Sequence, residues 1–147
     1  MPKLDEEYIK AGKLRYVVRD LPLESIHRQA FKAAEATHCA AEQGKFWELH
    51  DRLFVNQQTL DRPDLSAHAR ALGLDGPAFD RCVDSGKYAE RVRKDVNEAQ
   101  RLGISGTPTF LVGVLNGGEL KGARVIRGAQ PYPSIKAVID EVLSPAK

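Results

Sequence analysis

The sequence predicts an α/β fold with a large helical insertion, and three features carry that reading. A short alternating apolar run stands near the start of the chain. A long middle stretch repeats the helical period and is punctuated by glycines. Near the end, two apolar runs flank a glycine-rich connection and are followed by a final amphipathic stretch. The order is therefore one strand, four or five helices, a β-hairpin and a last helix.

Each element has its own signal. "KLDEEYIKAG" (3–12) reads as the end of a helix closed by Gly12. "KLRYVVR" (13–19) sets Leu14, Tyr16 and Val18 against Arg15, Val17 and Arg19, the period of a strand, and Pro22 stops it. "SIHRQAFKAAEATHCAAEQG" (25–44) is helical, with Ala30, Ala33, Ala34, Thr37 and Ala41 in one small-residue stripe; Cys39 falls opposite that stripe on the helical wheel. "KFWELHDRLFVN" (45–56) continues the helical period through Phe46, Leu49, His50 and Leu53. Two short helices follow at 64–73 and 76–86, each ended by a glycine. A longer one at 87–103 puts Tyr88, Val92, Val96 and Ala99 on one face. Strands are expected at 109–114 and 122–127, joined by "LNGGELKG", which lacks the order and setting of a phosphate loop and reads as a turn. A helix at 133–143 completes the chain. One strand plus a hairpin makes a thin sheet, since open sheets usually have four or more strands.

Bulk properties exclude several function classes. The chain has 147 residues, enough for one domain with a real core, and is 42% hydrophobic and 29% charged. A net charge of +2, with basic residues scattered among acidic ones, gives no nucleic-acid footprint. No apolar run reaches membrane-spanning length, and the N-terminus lacks the apolar centre of a signal peptide, so the chain as it stands reads as cytoplasmic. No cofactor is expected. Cys39 and Cys82 are too far apart in sequence for a CxxC motif, and the four histidines lack metal-ligand spacing, so no metal site is expected. His50 reads as a packed or hydrogen-bonded helix residue, and His27 and His68 as exposed. Phe46 and Trp47 are expected to close the core between helices.

The most informative stretch is "GISGTPTFLVG" (103–113), in which a loop enters an apolar strand through Pro108. Proline rarely opens an interior strand, because it donates no backbone hydrogen bond and fixes φ. By itself this reads as an ordinary trans proline. However, "GTPTFLVG" with its hairpin and the later "GAQPY" resembles the C-terminal half of DsbA-like thioredoxin-fold proteins, and "GKFWELHDRLF" and "FDRCVDSGKYAERVRKDVNEAQRLGISGTPTF" resemble the middle of that family. The resemblance runs from about Leu4 to Leu143.

That resemblance implies a thioredoxin-like fold with an inserted helical block at about 25–103, in a single domain over 1–147. It implies a cis Thr107–Pro108 bond opening a strand beside the active site, with the Thr107 backbone left free for an extended peptide. The family consists mainly of bacterial, extracytoplasmic thiol–disulfide oxidoreductases. They carry CxxC at the start of the first long helix, after a central strand, where the helix dipole favours the thiolate. Neither that strand nor the motif is in this sequence, and "PKLDEEYIKAG" resembles the tail of that helix. The chain is thus expected to be an incomplete domain, short by roughly twenty to thirty N-terminal residues.

For Cys39 and Cys82 three readings stand: buried free thiols, a structural bridge, and a redox pair. Mid-helix cysteines lack the exposed, electropositive setting that activates a thiol. In the resembling family, cysteines at these places often occur together and suit a helix–helix disulfide. Function is expected at two levels. The family implies protein thiol–disulfide exchange, but this chain lacks the nucleophile and is expected to be redox-inactive by itself. The alternative is a redox-dead thioredoxin-fold module for peptide binding or assembly. Either way the expected partner is an extended peptide or disulfide-bearing protein at Thr107–Pro108, with no nucleic acid and no membrane. Loss of a central strand would leave edges at 13–19 and 109–114, with Tyr16, Phe110 and Val112 open to water. A homodimer in which residues near 1–19 exchange or abut is expected to fill the gap.

Overall fold

The computed structural model describes residues 2–144, and its elements follow in chain order. They are α1 (Pro2–Leu4) running into a π-helical stretch (Asp5–Ile9), α2 (Ala30–Ala41), α3 (Phe46–Val55), α4 (Arg62–Ala71), α5 (Gly76–Ser85), α6 (Ala89–Arg101), β1 (Thr109–Asn116), β2 (Glu119–Arg127) and α7 (Tyr132–Leu143). The chain forms two compact units, Asp20–Gly103 and the pair of segments Met1–Arg19 with Ile104–Lys147.

The unit Asp20–Gly103 is helical. The glycines that end its segments take the left-handed conformation a side chain disfavours, as at Gly86 (φ 65°), the C-cap of α5. At the other end of α5, Asp75 caps the helix by accepting from the Ala78 amide at 2.8 Å. The core contains Ala36, Ala40, Leu49, Leu65, Phe79 and Val83. Because α2 contacts α3, α4, α5 and α6, its buried arc is wide. Cys39 lies inside that arc with Ala33, Ala36 and Ala40, whereas Ala41 is exposed. Cys39 thus lies opposite the alanine stripe on the helix and is nonetheless buried. A helix surrounded by neighbours does not divide into one apolar and one polar side.

Polar groups in this unit are tied down by side-chain networks. Arg62 reaches Asp80 and Asp84, and the Ser66 hydroxyl also donates to Asp80. His68, expected to be exposed, is buried. Arg52 Nε donates to its Nδ1 at 3.0 Å, which places the ring proton on Nε2, 3.0 Å from the Thr59 carbonyl oxygen. Trp47, expected in the core, is 45% exposed, and Phe46 is half-buried against its edge with ring centres 5.1 Å apart. The apolar positions Leu49 and Leu53 fill the α3 core face instead.

The second unit is built on the hairpin. Gly117 and Gly118 make its two-residue turn with φ of 58° and 86°, the positive values that a primed hairpin turn needs. The strands are antiparallel, with Thr109 opposite Arg127 and Leu111 opposite Val125, and the register slips between Val112 and Val114. At that irregularity sits Gly113, where a Cβ would lie 2.6 Å from the Lys121 carbonyl oxygen. One face of the hairpin packs on α7 and the N-terminal helical segment through Leu4, Tyr8, Ile126, Ile135 and Ile139, with Phe110 and Val112 against them.

The strand expected at 13–19 does not form, and among the described residues the sheet contains β1 and β2 alone. Leu14 does pack on the hairpin core, but Tyr16, of the same alternating set, is exposed. A strand also needs a ladder partner, and the amides of Lys13 and Leu14 both turn back to the Tyr8 carbonyl. Phe110 and Val112 are likewise half-buried rather than open to water; the solvent-facing pair is Leu111 and Val125.

Candidate functional site

The loop before β1 leaves α6 through Gly103 (φ 66°) and reaches the strand across a cis Thr107–Pro108 peptide bond. The Thr109 hydroxyl donates to the Gly106 carbonyl at 2.8 Å and ties the loop to the strand. Thr107 and Pro108 are both exposed.

Hydrogen-bond parity fixes which way each backbone group points. The Gly128 amide donates to the Pro108 carbonyl at 2.8 Å, which extends the register of Thr109 opposite Arg127 by one pair. In an antiparallel ladder the bonded pairs alternate, so Pro108, Phe110 and Val112 turn their backbone groups toward β2. Thr109 and Leu111 turn theirs to the other edge; Thr107 lies beyond the cis bond, where the alternation no longer applies. That edge carries no strand among the described residues, and no backbone hydrogen bond there reaches Thr107. The result is two outward-facing strand residues preceded by a proline and an exposed threonine. It offers amide donors and carbonyl acceptors to an extended chain.

The edges differ in charge. β1 reads TFLVGVLN, with no charged residue, while β2 reads ELKGARVIR and carries Glu119, Lys121, Arg124 and Arg127. Charged residues on an outer strand discourage pairing with other chains. β2 is thus a guarded edge, and β1 has the composition of an interior strand.

Cys39 and Cys82 are joined, with Cα atoms 5.9 Å apart, and link α2 to α5. Both are buried. Of the three readings the sequence left, the free thiols are excluded, because the two sulfurs are bonded. Thr107 and Pro108 belong to the other unit.

A cluster that sequence reading missed joins the N-terminal segment to α7. The Tyr8 hydroxyl donates to Asp140, and Lys136 Nζ donates to the Tyr8 oxygen at 2.7 Å and lies 3.5 Å from Glu7. Hydrogen bonding from Tyr8, then from Lys136, holds the Asp140 carboxyl below its usual range. Burial, with Glu7 nearby, pushes the Tyr132 hydroxyl up to about 12. The opposite charges in this cluster compensate one another, which suits a clasp between helices. Tyr8 and Lys136 are 128 positions apart, so no local pattern could have signalled the pairing.

The described residues form a mixed α/β arrangement of helices and a proline-led hairpin, and comparison with known proteins gives its family. The thioredoxin family model matches residues 1–141, and the chain belongs to that family, in its DsbA-like branch. It is 42% identical over 111 residues to the Na(+)/H(+) antiporter NhaA 3 of Salinispora tropica, an alignment covering 76% of this chain and 17% of that protein. It is 40% identical over 120 residues to the Na(+)/H(+) antiporter NhaA 1 of Mycolicibacterium vanbaalenii, covering 80% and 19%. With the Na(+)/H(+) antiporter NhaA of Herminiimonas arsenicoxydans the identity is 42% over 127 residues, covering 86% and 18%. The chain therefore spans less than a fifth of the length of these relatives, aligned over their thioredoxin region.

Proposed function

We propose that this chain is a thioredoxin-family domain that holds an extended peptide along the Thr107–Pro108 edge and carries out no CxxC-type exchange of its own. The observation that carries the reading is the outward-facing backbone of Thr109 and Leu111 on an uncharged strand, led by an exposed Thr107 before a cis-proline. Disulfide exchange proceeds by thiolate attack on a sulfur. This sequence has two cysteines, both in the bridge, so it supplies no thiolate in the oxidised form. The antiport named for the relatives belongs to proteins of which this chain matches a small part, and it is not carried over. A structural bridge also favours an oxidising compartment as the place where the domain works.

The test is titration of 15N-labelled protein with an uncharged extended peptide rich in β-branched residues. Shifts at the amides of Thr107, Thr109 and Leu111 support the reading. Saturating peptide that moves none of the three refutes it. In parallel, the oxidised chain is expected to show no turnover in an insulin-reduction assay. Turnover that disappears in Cys82→Ser would make the bridge a redox pair and overturn the second half of the proposal.

A further inference from the structure

The bridge between α2 and α5 is not closed equally at its two ends. Cys39 is 1% exposed, whereas Cys82 is 8% exposed. The Cys82 sulfur also has a charged neighbour. Glu42, the residue that caps α2, places Oε1 4.0 Å from it. A bonded sulfur has no hydrogen to give, so this is a contact between a carboxylate and a sulfur. Just past the left-handed Gly86 that ends α5, Lys87 and Tyr88 both reach the same oxygen. Lys87 Nζ lies 2.5 Å from it, and the Tyr88 hydroxyl donates to it at 2.7 Å. We infer that Cys82 is a thiol-exchange site, the sulfur at which an incoming thiol opens the bridge, and that Glu42 beside it disfavours anionic thiols.

The step balances with a low-molecular-weight thiol as reductant. Its thiolate attacks the Cys82 sulfur, and a new S–S bond forms as the bond to Cys39 breaks. The electron pair leaves on Cys39, which takes a proton from water. A second thiolate then attacks the thiol's own sulfur in the mixed disulfide. It releases the oxidised thiol and leaves Cys82 reduced, so two thiols supply the two electrons. Attack at Cys39 would need a hydrated molecule to enter the core beside Ala36 and Ala40. It would also expel a thiolate at Cys82 next to the Glu42 carboxylate. Attack at Cys82 forms the departing thiolate on buried Cys39, which makes the step slow for every thiol. Access still decides, because the attacker must reach its sulfur from solvent while the leaving atom is already in place. This opening is stoichiometric, once per bridge, and is distinct from turnover.

Selectivity follows from charge. Hydrogen bonds from Lys87, then from Tyr88, hold the Glu42 carboxyl below its usual range, so it is ionised at neutral pH. Lys87 is the more exposed of the pair, at 56% against 34% for the two side chains, and its charge partly offsets that of Glu42. Removing either member therefore leaves the other to act on an arriving thiol, with opposite sign.

The experiment opens the bridge of the oxidised full chain under native conditions with cysteamine or with 2-mercaptoethanesulfonate. Rates are expressed per thiolate, for the wild type, Glu42→Gln and Lys87→Gln. The ratio of the cationic to the anionic thiol should fall by about threefold in Glu42→Gln and rise by about threefold in Lys87→Gln. A purely structural effect of either variant changes both rates together and leaves the ratio alone. Acid quenching, alkylation and mass spectrometry should find the mixed disulfide on Cys82 with Cys39 alkylated. A ratio that is the same in all three proteins overturns the proposal. So does a mixed disulfide formed on Cys39 in preference to Cys82, or a bridge that opens only when urea unfolds the chain.

Discussion

Breaking the Cys39–Cys82 bridge should remove a large share of the stability of the helical unit. The bridge spans 43 positions of sequence, and closing a loop of that length restricts the unfolded chain by about 4 kcal/mol at 25 °C. Both ends are anchored in packed helices, since Cys39 is 1% and Cys82 8% exposed, so reduction leaves the native contacts in place and acts chiefly on the unfolded state. With a urea dependence of about 2 kcal/mol per molar, the midpoint should fall by roughly 2 M. The assay is urea unfolding followed by circular dichroism, on oxidised protein and on protein kept reduced with a phosphine. Using the wild type in both arms isolates the covalent bond. A Cys39→Ala/Cys82→Ala variant should fall at or below the reduced midpoint, because it also empties buried volume. Oxidised and reduced forms that differ by less than about 1 kcal/mol would refute the loop-closure reasoning.

Other consequences can be read the same way. Gly113→Ala drives a Cβ to 2.6 Å from the Lys121 carbonyl oxygen and 3.2 Å from the Ala123 Cα; both are backbone atoms. It should cost about 2 kcal/mol, seen as a lower melting temperature with changed hairpin amide shifts, and a wild-type melt would show that the irregularity has slack. Ile139 is 2% exposed in the hairpin core, and Ile139→Ala should destabilise by about 3 kcal/mol in the same melts. Asp80 accepts from the Ser66 hydroxyl and pairs with Arg62, which together hold its carboxyl below the ordinary range. Its contribution is therefore present above the unfolded carboxylate value near about 4 and is lost as pH falls through the lower folded value. The stability gap between wild type and Asp80→Asn should narrow from about pH 5 to about pH 2, and a constant gap would contradict the assignment.

The sequence was most legible where a local rule is sufficient. Glycines that end helices, such as Gly86, and the Gly117–Gly118 turn act through their own φ values, and both lie where the pattern placed them. Residues 13–19 show the limit of that reasoning. Alternation placed Leu14, Tyr16 and Val18 on one face, and only Leu14 packs on the hairpin core; without a neighbouring strand the period does not fix the face. His68 and Trp47 were misplaced for a related reason. Their positions depend on which helix lies alongside, as when Arg52 and Thr59 enclose His68. The proline loop was recognisable through its motif. The direction of the backbone at Thr109 and Leu111 was not, since it follows from the partner register of β2. The bridge was one of three possibilities until the α2 and α5 geometry placed the two Cα atoms 5.9 Å apart.

Pro108 has one more effect, on how a strand would arrive. It cannot donate to Gly128, and the Gly128 carbonyl is taken instead by the Gln130 amide at 3.0 Å, so β2 turns away at this point. Thr107 projects one residue past the end of the covered ladder. The loop before it is exposed or half-buried and makes few backbone bonds. On the proposed peptide-binding reading, an incoming chain would make its first contact on this overhang before reaching Thr109 and Leu111. On that reading, the rate of strand addition should depend on residue 107 and its lifetime on residue 111.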